Sequence, residues 1–183
     1  MRLLNKVWLC IAAIGLGTFG VAAIAQPQQA APQAQQPQQV RLISRFDDST
    51  IARLLLDVQA TWRTEPSPEG LTNYRASAEG GLSFTLAPRA CSAEQGCTGL
   101  MMLAIFTGVE TQSAAQLDAI LNELNDQIPT AKLLRGGDGI VIIQAYINAS
   151  FGITYTNARA QLLVFGQDIV AVRQALATLQ SAQ

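Results

Sequence analysis

Cys91 and Cys97 frame the segment CSAEQGC in a chain that opens with an apolar leader. Two sulfurs with five residues between them meet across a hairpin tip when the flanking strands bring their Cα atoms to about 5.5 Å. The pair therefore predicts an antiparallel hairpin at 91–97, and in an oxidising compartment it predicts a structural disulfide. A redox-active pair and a metal site are the alternatives. C-x5-C lacks the helix-terminal Cys-x-x-Cys arrangement that lowers a thiol pKa. A metal needs further ligands, yet the chain has no histidine and its third cysteine, Cys10, lies in the leader.

The compartment is read from the first residues. MRLLNK supplies a positive n-region, Val7 to Ala25 an apolar run, and Ala23-Ile24-Ala25 an A-x-A site ahead of Gln26. This predicts a signal peptide over 1–25, cleaved between Ala25 and Gln26, and hence a periplasmic or secreted protein. The run approaches the ~20 residues that span a bilayer, so an uncleaved N-terminal membrane anchor is the alternative. Gly15, Gly17 and Gly20 favour cleavage. Residues 26–39, QPQQAAPQAQQPQQ, read as a linker, because they lack the apolar side chains that offset ordering entropy and their prolines favour extended backbone. Residues 40–183 are left as one ordinary domain.

Arg2 and Lys6 belong to the leader, so removing it takes the 12 basic side chains to 10 against 13 acidic ones, a charge of −3. The remaining lysine is Lys132 and the arginines are scattered. No basic stripe tracks a phosphate backbone, which argues against nucleic acid as a partner. With 49% hydrophobic and 14% charged residues, the chain has the material for a core and too few charges for disorder.

Asp47-Asp48-Ser49-Thr50 offers good N-caps, and Ile51, Leu54, Leu55, Val58 and Trp62 follow at the spacing of one buried helical face. A helix is expected there, ended by Thr64 to Gly70 with Pro66 and Pro68. Three strands are expected next, over Leu71–Ala78, Leu82–Ala87 and Leu100–Phe106, the first two joined by Gly80-Gly81. The third, LMMLAIF, is apolar on both faces and reads as a central strand. Ser113 caps a second expected helix carrying Leu117, Ile120, Leu121, Leu124 and Ile128, with Pro129 as its stop. Strands over Thr130–Leu134 and Ile140–Ile147 flank Gly136-Gly137-Asp138-Gly139, a hairpin signal.

After Gly152 the chain reads as helical nearly to its end. Leu162, Phe165, Ile169, Val172, Leu176 and Leu179 alternate at spacings of three and four, the a and d positions of a heptad. Such a seam packs either on the sheet or on a second copy of the chain. Gly166 interrupts the run, and Asp168 could cap a fresh helix.

The absence of histidine removes Ser-His and Cys-His nucleophile pairs along with the commonest transition-metal ligand. A Ser-Lys dyad would have to use Lys132, in an expected strand. Among carboxylates, Glu110, Asp118, Glu123 and Asp126 lie around the second helix on what reads as solvated surface, and Asp47 and Asp48 read as caps. No catalytic, cofactor-binding or metal-ligating residue is assigned. Trp62 and Tyr146 are expected in the core or at its edge.

The strands LSFTLAPRAC and GCTGLMMLAIF, the segment LNELNDQIPTAKL and the stretch GIVIIQAYINASFGITYTNARAQLLVF follow in an order and spacing that resembles the YbjN family of bacterial proteins, often labelled sensory-transduction regulators. The resemblance covers the domain from Val40 onward. It implies an α+β fold like that of type III secretion chaperones, a mainly antiparallel sheet flanked by helices in the order α-β-β-β-α-β-β-α, which the periodicities also give. It further implies a non-enzymatic protein-interaction or chaperone-like role with an unidentified protein partner, in which a homodimer is frequent, and no catalytic residue to carry over. Competing expectations are a periplasmic small-ligand sensor or carrier, using a cleft between sheet and helices, and a hydrolase working with carboxylates alone.

Overall fold

The computed structural model describes residues 40–68, 70–109, 113–137 and 139–181, without the side chains of 179–181. The leader, its cleavage point at Ala25 and Gln26, the 26–39 linker, Glu110 and Asp138 lie outside these residues. After a short strand β1 (Leu42–Ile43), helix α1 (Asp48–Asp57) opens on Asp47, whose Oδ1 accepts the Thr50 N–H at 2.8 Å. Ile51, Leu54 and Leu55 are fully buried beneath it. The helix stops one turn earlier than the apolar spacing predicts, because Gln59 turns to φ 56° and the chain straightens. Trp62, eleven residues after Ile51, matches the helical repeat only by coincidence. It belongs to a strand that the sequence reading missed, β2 (Thr61–Pro66), where Thr and Trp suit a pleated surface.

The sheet continues with β3 (Thr72–Ala78), β4 (Leu82–Ser92) and β5 (Gly96–Phe106). Helix α2 (Ala114–Gln127), capped by Ser113, leads to β6 (Lys132–Gly137) and β7 (Ile140–Asn148). A two-residue strand β8 (Ile153–Thr154) pairs with β1 and runs into α3 (Tyr155–Ser181). The fold is α+β: among the described residues, six antiparallel strands in the order β2-β3-β4-β5-β7-β6, a separate β1-β8 ribbon and three α-helices. Strands β1, β2 and β8 are additions to the expected order.

One face of the sheet carries the core. Tyr74, Leu86, Met102 and Ala145 form one cross-strand row, Leu100 faces Ile147, and Ala104, Ile143 and Leu133 form another. These residues join one cluster with Leu54 of α1, Leu117, Leu121 and Leu124 of α2, and Phe165 of α3. Phe84 and Phe165 meet edge to face, with centroids 6.5 Å apart, a preferred aromatic geometry. Helix α3 runs unbroken through Gly166, because burial of Phe165 and Ile169 holds it against the sheet, and Asp168 accepts the Thr130 hydroxyl at 2.8 Å instead of starting a new helix.

The sheet's two edges differ. Asn125 on α2 donates to the Leu133 carbonyl at 3.0 Å and accepts the Leu133 N–H at 2.7 Å. One side chain thus occupies β6 as a further strand would, which blunts that edge against unwanted pairing.

Candidate functional site

The helices pack on one face of the sheet and leave the other uncovered. Met102 and Ala104 point to the core, so Met101, Leu103 and Ile105 point the other way. LMMLAIF is central, as its composition implies, but only one of its two apolar faces is packed under the helices. Across this open face one row runs through all six strands: Arg63, Arg75, Thr85, Leu103, Gln144 and Lys132. A second row joins Ile105, Ile142 and Leu134, and a third joins Ala87, Met101 and Tyr146.

The face is divided in composition. Thr61, Arg63, Arg75, Ser77 and Ser83 make the β2-β3-β4 half polar, whereas Met101, Leu103, Ile105, Ile142, Leu134 and Tyr146 make the β5-β7-β6 half apolar. Ile105 is 56% exposed and Tyr146 47%. Tyr146 is thus at the surface and not in the core or at its edge, as its aromatic character had suggested; Trp62 is half-buried against the core. A side chain at Gly99 would collide with the Tyr146 hydroxyl, so the missing Cβ lets the ring lie over β5. Between Tyr146, Met101 and Lys132 the face dips into a depression of about 320 Å³. Arg63 is matched by Glu65 at 2.8 Å, while among the described residues neither Arg75 nor Lys132 has an ion-pair partner.

The cysteines lie elsewhere. Cys91 and Cys97 are paired residues of the β4-β5 ladder with sulfurs 2.11 Å apart, so the disulfide spans the hairpin tip as expected, although both strands run further towards the turn than expected. The Cys97 carbonyl accepts the Phe46 N–H at 2.7 Å, which ties the hairpin to the residues leading into α1.

Beside that junction lies a depression of about 590 Å³, lined by Arg45, Asp47, Asp48 and Cys97 among others. Its carboxylates are engaged. Tyr74 donates to Asp48 at 2.5 Å, and burial followed by this bond pushes the Tyr74 phenol well above its ordinary range. Burial also pushes the Asp47 carboxyl up, but the bonds from Ser49 and Thr50 outweigh it and hold the group below its usual value. Asp118 pairs with Arg135 at 2.8 Å, Glu123 accepts from Gln127 at 3.4 Å, and Asp126 is exposed.

The C-terminal seam is core. Leu162, Phe165, Ile169, Val172 and Leu176 are at most 5% exposed within the chain itself, and Leu179 lies outside the described side chains. Those five residues pack on the sheet and are not available to a second copy. The space between sheet and helices is filled by these same side chains, and the depression of about 590 Å³ opens beside the start of α1 instead. No protein-family model matches the chain, and comparison with curated proteins finds no match to it.

Proposed function

We propose that this chain is an exported, non-enzymatic protein-interaction module that receives its partner on the open face of the sheet. The observation that carries this reading is the apolar half of that face, where Ile105 and Tyr146 stand about half exposed beside Met101, Leu103, Ile142 and Leu134. A water-facing patch of contiguous large apolar side chains marks a binding surface more often than chance, and Tyr and Met are enriched in such surfaces. Arg75 and Lys132, without carboxylate partners among the described residues, favour a protein with an apolar centre and an acidic margin. The YbjN resemblance points to the same class of role, and the absence of histidine supports a non-enzymatic one.

The test replaces Ile105 with a photo-crosslinking residue in the exporting cell, identifies the captured protein and rebinds it in purified form. Ile105→Asp is expected to abolish rebinding, and Val170→Asp, on the exposed side of α3, to leave it intact. Rebinding that survives Ile105→Asp overturns the assignment of the face. The depression beside α1 keeps a small-ligand carrier as the second reading. A ligand at 100 times its Kd would add about 2.7 kcal/mol of stability, which a thermal-shift screen detects.

A further inference from the structure

Where the chain enters its folded body, two arginines converge on one aromatic ring and a third bonds the residue that accepts from its hydroxyl. The Arg41 guanidinium lies 5.3 Å from the centre of the Tyr155 ring and that of Arg53 lies 5.4 Å from it. The Tyr155 hydroxyl donates to Asp57 Oδ2 at 2.8 Å, and Arg159 Nη2 reaches the Asp57 carbonyl at 3.4 Å. The Tyr155 N–H donates to the Arg41 carbonyl at 2.8 Å, which binds β1 to the start of α3. Two guanidinium groups thus lie against one ring, and a third bonds the main chain of the aspartate that accepts from its hydroxyl. None of the three forms a salt bridge among the described residues.

Exposed apolar side chains occupy neighbouring positions of the same segments. Val40 is 68% exposed, Leu42 66%, Leu56 63% and Phe151 fully so. Leu42 pairs with Thr154 in the β1-β8 ribbon, and Phe151 occupies the turn that leads into β8. Leu56 follows Arg53 by one turn of α1. Cations interleaved with exposed aromatic and aliphatic side chains are the composition of segments that rest in a membrane interface.

We propose that this corner docks the domain on an anionic phospholipid surface. Arg41, Arg53 and Arg159 would meet the lipid phosphates, while Phe151, Leu42 and Val40 enter the boundary between headgroups and acyl chains. A soluble anion would use the arginines and leave the apolar side chains in water; a bilayer takes both.

Co-sedimentation of the full chain with vesicles of phosphatidylcholine alone, and of phosphatidylcholine mixed with phosphatidylglycerol, tests the proposal. A retained leader contributes to every variant alike, so the comparison isolates the corner. The mixed vesicles are expected to capture more protein, and that surplus to fall about fivefold for each of Arg41→Gln, Arg53→Gln and Arg159→Gln and to shrink in high salt. Phe151→Ser, at a fully exposed position, should lower it without changing the circular dichroism. Equal capture by both vesicle types overturns the proposal, as does a surplus unchanged in folded single variants. If inorganic phosphate stabilises the wild-type chain while the vesicles capture equally, the arginines serve a soluble anion and the proposal likewise fails.

Discussion

At the scale of single residues, electrostatics and covalent chemistry act on side chains that the sequence already singles out. Cys91 and Cys97 stand opposite one another in the ladder, and closing so short a loop constrains the unfolded chain by about 2 kcal/mol in the chain-entropy model. Replacing both by Ser is expected to lower stability by about that amount in denaturant unfolding without loss of the fold. Mass spectrometry of the exported protein should show the bonded form, and two free thiols there would refute it. Asp47 and Asp168 titrate in opposite directions. Asp47 is held below its usual pKa, so its contribution to stability is present above the unfolded value and is lost as pH falls through the folded one. Asp47→Ala removes the cap and is expected to cost about 1 kcal/mol at neutral pH. Burial raises the Asp168 carboxyl, only partly countered by Thr130, so its ionised form disfavours the folded state at neutral pH. Asp168→Asn should therefore melt higher than wild type at neutral pH, and the difference should vanish once pH falls below the unfolded carboxylate value, as paired thermal melts would show.

Elements are where periodicity succeeds or misleads, and the difference lies in what each one packs against. In α3 a three-four spacing suits a sheet or a partner helix equally, and burial of Val172 decides for the sheet. Val172→Asp would place an unpaired charge in that core and is expected to abolish cooperative unfolding, whereas Val170→Asp, at a 36% exposed position, should shift stability by no more than about 0.5 kcal/mol. Circular dichroism melts of the two variants separate core from surface. In α1 the spacing overran the helix because Trp62 fell in phase with it by accident, and only the positive φ of Gln59 ends the element. Asn125 acts across elements. Asn125→Ala leaves the Leu133 backbone N–H and carbonyl without those partners at an edge, which is expected to cost about 1 to 3 kcal/mol and to raise aggregation on heating, measured by light scattering.

For the whole molecule the decisive fact is that the helices pack on one face of the sheet. Ile105→Asp should change stability little, since its side chain already faces water, yet should remove partner binding; a variant that unfolds would instead place Ile105 in the core. Three helices and five of the strands in their order, the Asp47 and Ser113 caps and the cysteine pairing were legible in the chain, because each depends on residues near one another, whereas β1, β2 and β8 were not. The open face was not legible. An apolar strand such as LMMLAIF has the same alternation whether its second side is covered or bare. Which side stays bare depends on cross-strand register and on where α1, α2 and α3 come to rest. The meeting of Arg41, Arg53 and Arg159 at Tyr155 and Asp57 was hidden for the same reason: the arginines are scattered along the chain, and only tertiary packing brings β1, α1 and α3 to one corner.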